Sequence, residues 1–118
     1  MSDQCLPKAS RLLRHAEFSN VHDHGKKWAT RLLVVYVAPS TLQTSRLGLT
    51  VSRKVDKRAV VRNRIKRRIR EVFRMHRAMF LGNFDIVVVA RQNAATAEYK
   101  ALKNDILMAW RRLSVLAK

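Results

Sequence analysis

The feature that most constrains the fold of this chain is a strongly basic segment with a helical apolar repeat. Twelve of the residues from Arg53 to Arg77 are lysine or arginine, and only Asp56 and Glu71 are acidic. The apolar residues inside the segment recur at steps of three and four: Val61, Ile65, Ile69, Val72 and Phe73. This spacing predicts an α-helix, roughly Arg58–Met79, that buries one face and exposes the others. The pattern therefore favours an ordered cationic helix over a disordered basic tail.

The overall charge indicates a polyanionic partner. The 118 residues are enough for one domain, the apolar share of 47% is that of a globular protein, and the net charge is +17. We therefore expect a folded domain over residues 10–118, preceded by a flexible arm at residues 1–9, with a nucleic acid as its partner. An anionic membrane surface is the alternative that a basic amphipathic helix leaves open.

Around the basic helix the sequence predicts the order α-β-β-α-β-α, an α+β domain in which helices pack on a small sheet. The first helix is expected to begin at Ser10 and to stop at Gly25. The other predicted elements are strands at Leu32–Val37, Arg46–Ser52 and Phe84–Ala90 and a helix at about Ala97–Leu116. The continuous apolar run of the last strand predicts a central place in the sheet.

The residue types present argue against several kinds of site. The chain has no glycine-rich phosphate loop, and its acidic residues include no close pair of the kind used in general acid–base catalysis. The single cysteine, Cys5, excludes an internal disulfide and a cysteine zinc site, and the histidines lack metal-ligand spacing. No apolar run has the length of a signal peptide or a membrane span. We therefore expect a cytoplasmic binding protein with no catalytic residue and no metal site of its own.

Two groups of residues are candidate contacts. Arginine and lysine bind phosphates, and those at four-residue steps are expected to form one exposed line on the helix: Arg58, Arg62, Lys66 and Arg70. Asn63 serves either as a helix-start or loop hydrogen bond or as a base or ribose contact. Aromatic rings stack on unpaired bases, and candidates lie in the first helix, the following loop and the first strand: Phe18, His22, Trp28 and Tyr36. Phe18 is also explained as a core contact, and Trp110 is expected to pack rather than to bind.

The stretch Arg62-Asn-Arg-Ile-Lys-Arg67, continuing to Glu71, resembles the signature helix of the bacterial ribonuclease P protein component. The flanking strands, Arg46–Lys54 and Phe84–Arg91, and the opening helix are similar in order and spacing, so that the resemblance covers about residues 10–116. It implies a ribosomal protein S5 domain 2-like fold with a left-handed β-α-β crossover.

The resemblance also implies a function. Members of that family are the non-catalytic protein subunit of an endoribonuclease that removes the 5′ leader from precursor tRNA, while an RNA subunit catalyses the reaction and holds most of the Mg²⁺. The implied partners are the catalytic RNA and precursor tRNA, with no membrane and no obligate protein partner. The residues themselves leave two alternatives open: another RNA-binding protein of the same fold, such as a ribosomal protein, and a DNA-binding helix.

Site residues follow from the same resemblance. It implies that the catalytic RNA is bound by the basic helix and the residues before it: Arg53, Lys54, Arg58, Arg62, Asn63, Arg64, Lys66, Arg67, Arg68 and Arg70. It implies that the single-stranded leader lies in a cleft between the first helix and the sheet, at Phe18, His22 and Tyr36. His22 departs from the family pattern, which often has an aromatic ring there, and Leu33 occupies a strand position that is often aromatic.

Overall fold

The structure is a computed structural model that describes residues 15–117. Its helices and strands are α1 (His15–His24), β1 (Lys26–Ala29), β2 (Leu33–Pro39), β3 (Arg46–Thr50), α2 (Ala59–His76), β4 (Phe84–Ala90) and α3 (Tyr99–Arg112). Short 3₁₀ turns follow α2 at Arg77–Met79 and β4 at Gln92–Ala95. The predicted arm, residues 1–9, and the predicted helix start at Ser10 lie outside the described residues.

The strands form one mixed sheet with the order β1-β2-β4-β3. β2 is antiparallel to β1 and β4, whereas β3 and β4 are parallel and are connected through α2. β4 is an inner strand, as its continuous apolar run predicts. The α+β class is therefore confirmed, and the left hand of the β3-α2-β4 crossover stays a prediction.

The sequence does not predict β1. Lys26–Ala29 has the pattern of a loop, but it pairs with β2 from Lys26 opposite Val37 to Ala29 opposite Val34. This strand is an edge of the sheet, and of its four side chains only Trp28 packs against the core. An edge strand with so little burial lacks the apolar alternation by which strands are recognised, so pairing with β2 decides its conformation.

The two faces of the sheet have different cores. On one face α2 and α3 cover a large core that contains every residue of the predicted apolar stripe. On the other face α1 packs on a small cluster made of Val21, Ala38 and Val87. Leu33 is fully buried in the large core, away from α1. α1 thus leaves much of its face of the sheet uncovered.

Aromatic packing sets the orientation of α2. The rings of Phe73, Phe80 and Trp110 meet edge to face with centroid separations of 5.2 to 6.5 Å. Contacts of this geometry stabilise by about 0.5–1.5 kcal/mol each beyond the area that they bury. Trp110 is fully buried, which confirms the expectation that it packs. The end of α2 is thereby tied to α3, and its basic residues are turned away from the core.

Gly25 ends α1 by a close approach to the sheet. Its φ is not positive, so it is not a left-handed helix cap. A Cβ at this position would lie 2.4 Å from the carbonyl oxygen of Val21 and 2.8 Å from that of Val37. The predicted helix stop at Gly25 is confirmed, and the reason is that a Cβ has no room between the last turn of α1 and β2.

Candidate nucleic-acid interface

The outward face of α2 is cationic. Because the apolar stripe is buried, the side chains opposite it face away from the core, and Asn63, Arg67 and Arg74 are exposed. The sequence predicts that four basic residues form one exposed line. Of these, Arg58 is exposed, whereas the other three are half-buried: Arg62, Lys66 and Arg70. That part of the prediction is wrong, because these residues border the buried stripe.

Two arginines of the predicted contact set hold α2 in place. Nη1 of Arg62 donates to the carbonyl oxygens of Asp56 at 3.0 Å and Lys57 at 2.8 Å. Nη1 of Arg68 donates to the carbonyl oxygen of Ala97 at 3.2 Å and joins α2 to the segment before α3. Bonds of this kind satisfy backbone acceptors that helices and strands do not reach. Part of the hydrogen-bonding capacity of both guanidinium groups is therefore used within the chain.

Asp56 organises the start of α2, a role that the sequence analysis missed. Arg58 donates from Nε at 3.1 Å and Nη2 at 3.0 Å to its carboxylate, and the backbone N–H of Arg58 donates to the same group at 2.8 Å. The side-chain hydrogen bond, followed by the backbone one, lowers the pKa of Asp56 from 3.8 to about 2. Asp56 is thus ionised at neutral pH and partly neutralises Arg58. An aspartate shortly before a helix start is the sequence pattern that could have revealed it.

Asn63 does not start the helix. It lies inside α2, whose N-terminal cap position is occupied by Arg58. Its side chain is exposed and makes no hydrogen bond within the described part of the chain. The helix-start role and the loop role considered for Asn63 are therefore wrong.

Several cations around α2 have no partner among residues 15–117. Their side chains make no hydrogen bond or ion pair there: Arg53, Lys54, Lys66, Arg67 and Arg70. Arg64 is half-buried, and its Nε reaches no acceptor in the same range. Glu71 is not available to neutralise them, because it is paired with Arg74 at 2.9 Å. The surface of α2 therefore carries a net positive charge that the rest of residues 15–117 does not balance.

A groove lies on the other side of the sheet, between α1 and strands β3 and β4. It encloses about 200 Å³ and is lined by Phe18, Ser19, His22, Asp23, Thr50, Val87 and Val89. The ring of His22 lies 4.6 Å from that of Tyr36, tilted by 33°. Phe18 and Tyr36 are half-buried against the cluster beneath α1. The structure thus brings the three predicted cleft residues together, and Phe18 is both a core contact and part of the groove wall.

Of the two departures from the family pattern, only that at His22 reaches the groove. Leu33 faces the large core on the opposite side of the sheet. Trp28 is likewise turned to that side, where the guanidinium of Arg112 lies 5.5 Å from its ring centroid. Trp28 is therefore not a stacking residue of this groove.

Asp85 is a structural carboxylate. Arg46 binds it through Nε at 2.9 Å and Nη2 at 2.8 Å, and both side chains are largely buried.

Within residues 15–117 no three histidine, cysteine or acidic side chains are grouped closely enough to hold a metal ion. None of the helices in that range has the length and apolarity to cross a membrane.

Comparison with known proteins decides between the interpretations that the residues leave open. The family model described as Ribonuclease P matches residues 6–114. The chain belongs to the ribonuclease P protein family. The ribonuclease P protein component of Caldanaerobacter subterraneus subsp. tengcongensis is 40% identical over 99 residues, 84% of each chain. That of Citrifermentans bemidjiense is 37% identical over 113 residues, 96% of each chain.

Solved structures of ribonuclease P proteins have the same fold. The protein from Staphylococcus aureus aligns with a TM-score of 0.85 at 34% identity, over 92% of this chain and 99% of that one. The protein from Thermotoga maritima aligns with a TM-score of 0.75 at 28% identity, over 92% and 98%. Family membership makes the chain the protein component of a tRNA-processing ribonucleoprotein endoribonuclease, with an RNA as its partner.

Proposed function

We propose that this protein binds the catalytic RNA of ribonuclease P through α2 and the 5′ leader of precursor tRNA in the groove. The observation that supports this most is the pairing of an unneutralised cationic helix on one side of the sheet with an aromatic groove on the other. The RNA subunit then hydrolyses the phosphodiester with Mg²⁺ that it largely holds itself, and the protein supplies no catalytic residue. The complex acts in the cytoplasm and needs no obligate protein partner.

The case for RNA at α2 rests on charge. A phosphate backbone would replace the missing carboxylates and release counterions, which favours association. The exposed residues Arg53, Lys54 and Arg67 carry most of this binding, since none of their side chains is engaged within the described chain. Arg58, Arg62 and Arg68 add charge while they keep α2 in position. Asn63, exposed between two arginines, contacts a base or ribose.

The case for the leader rests on the rings that border the groove. His22 and Tyr36 present adjoining rings, and Phe18 supplies a third one nearby. Stacking of an unpaired base on such a ring is worth about 1–3 kcal/mol and depends little on which base it is. Mature tRNA has no leader to stack, so the groove distinguishes substrate from product.

Reconstitution tests the proposal as a whole. Precursor tRNA is incubated at low Mg²⁺ with a bacterial ribonuclease P RNA, with and without this protein. We expect the protein to accelerate cleavage at the leader junction and to cleave nothing without the RNA. Cleavage by nuclease-free protein alone, or no acceleration by a protein that binds the RNA, contradicts the proposal.

Arg67→Ala and Arg74→Ala form a matched pair for the RNA contact. Both residues lie on the outward face of α2, but only Arg74 is neutralised within the chain. We expect Arg67→Ala to weaken binding of the RNA subunit and to lower the log-log salt slope by about 0.7–0.9, the loss of one phosphate contact. Arg74→Ala should change both much less. Equal effects of the two substitutions would mean that only net charge matters.

Tyr36→Leu tests the groove. Leucine keeps most of the apolar contact with the cluster beneath α1 but removes the ring. We expect weaker binding of precursor tRNA, by up to the stacking energy of about 1–3 kcal/mol, and unchanged binding of mature tRNA. Equal losses for both ligands would show that Tyr36 acts only as a core residue.

A further inference from the structure

Beyond the lining of the groove, the same face of the sheet has a row of accessible residues that crosses all four strands. Strand pairing places Thr50, Val89, Val34 and Ala29 side by side on β3, β4, β2 and β1. Each of them is half-buried or exposed. In the neighbouring row, by contrast, Val87 is only 3% exposed, because α1 covers it. Among residues 15–117 nothing covers this row, so that an open floor runs beside α1 from one edge of the sheet to the other, about 14 Å at the usual strand spacing.

An ammonium group lies beside the β1 end of this floor, two residues from Ala29 and in the row of Tyr36 and Val87. Lys27 on β1 is exposed and pairs with Tyr36, so both side chains lie on the groove face. Its Nζ is 6.0 Å from the centroid of the Tyr36 ring. No ion pair neutralises Lys27 within residues 15–117. The neighbouring Lys26 is equally exposed, but strand alternation turns it to the opposite face, with Trp28.

We propose that Lys27 binds a backbone phosphate in the 5′-distal part of the leader, beyond the bases at His22 and Tyr36. This inference rests on the proposed function, in which α2 holds the RNA subunit. α2 and β3 lie together at one edge of the sheet, so the leader enters the floor there and reaches β1 only if it is long enough. A lysine ammonium is a point charge that reads no base, so the contact sets a preference for leader length and not for leader sequence.

Two other roles for Lys27 make different predictions. A lysine on an edge strand opposes pairing with other chains, and an ammonium near a ring supports that ring by a cation–π contact. Neither role depends on the length of the leader. Leader length is therefore the variable that separates a phosphate contact from a structural residue.

The experiment compares Lys27→Met with Lys26→Met. Methionine keeps an unbranched apolar stem and removes the charge, and the two exposed lysines are neighbours on β1 that point to opposite faces. Each variant is reconstituted with a bacterial ribonuclease P RNA, and affinities are measured for precursor tRNAs with leaders of one to about ten nucleotides. We expect Lys27→Met to bind the longest leader about two- to fivefold more weakly than wild type, the loss of one exposed charge contact. It should match wild type on the one-nucleotide leader, and its salt slope on the longest leader should fall by about 0.7.

Lys26→Met should follow the wild type at every length, and Lys27→Arg should restore the affinity for long leaders. Equal losses in Lys26→Met and Lys27→Met would overturn the proposal, and so would a loss in Lys27→Met that is the same for all leaders. If the wild-type protein binds precursor tRNA no more tightly when the leader is longer, the proposed leader groove is refuted, and the role of Lys27 with it. If the wild-type affinity rises with leader length and Lys27→Met shows the same rise, only the role of Lys27 is refuted.

Discussion

Replacing Gly25 with alanine tests whether the groove depends on the close approach of α1 to the sheet. The new Cβ would lie 2.4 Å from the carbonyl oxygen of Val21 and 2.8 Å from that of Val37. Both are backbone atoms of regular elements, so no side chain can rotate away: Gly25 has to shift from the last turn of α1, and α1 has to move from β2. The Gly25 N–H also donates to Val21 at 2.8 Å, so this movement loosens the last turn of α1.

We expect Gly25→Ala to lower the free energy of unfolding by about 1–3 kcal/mol, the range for overpacking a filled site. The melting temperature of a domain of this size should fall by about 3–5 °C for each kcal/mol. Because Phe18 and His22 are carried by α1, the variant should also lose part of its preference for precursor over mature tRNA.

Gly82→Ala is the control, since a Cβ there would meet only the ring of Phe84, at the ordinary contact distances of 3.5 and 3.6 Å. Its stability should stay within about 0.5 kcal/mol of wild type. Urea unfolding of both variants at one ionic strength measures the difference. If Gly25→Ala is as stable as Gly82→Ala and still prefers precursor tRNA, α1 does not need glycine at this position.

Three further predictions concern stability, and equilibrium unfolding measures each of them. Asp85→Ala removes a largely buried carboxylate that accepts two hydrogen bonds from Arg46 and should cost about 3 kcal/mol, so a loss below about 1 kcal/mol would contradict a buried pair. Ser114→Gly should add about 0.5–1 kcal/mol, because Ser114 has a φ of 63° after α3, and a loss of stability would argue against relieved strain. Arg58 lowers the pKa of Asp56 from 3.8 to about 2, so the ionised carboxylate stabilises the fold above about pH 4 and this contribution disappears towards pH 2. The stability difference between wild type and Asp56→Asn should therefore be constant near neutral pH and shrink over that acid window, whereas a difference unchanged down to pH 2 would exclude this linkage.

The sequence alone determines the elements whose burial is periodic. The stripe of α2 repeats every three or four residues from Val61 to Phe73, and all its members are buried. The apolar run of Phe84–Ala90 predicts an inner strand, and β4 is one. In both cases the spacing of the apolar residues shows whether one face or both faces of the element are buried, and that information lies within the element itself.

The tertiary structure decides what depends on a partner distant along the chain. β1 is a strand because β2 lies beside it, although its own residues carry no strand pattern. The charge of Arg68 is plain from the sequence, but its bond to Ala97 exists only because α2 and α3 pack together. Tyr36 likewise meets His22 only after α1 has folded onto the sheet. Periodicity specifies which face of an element is buried, whereas packing geometry alone sets which acceptor or ring lies within a few ångströms of a side chain.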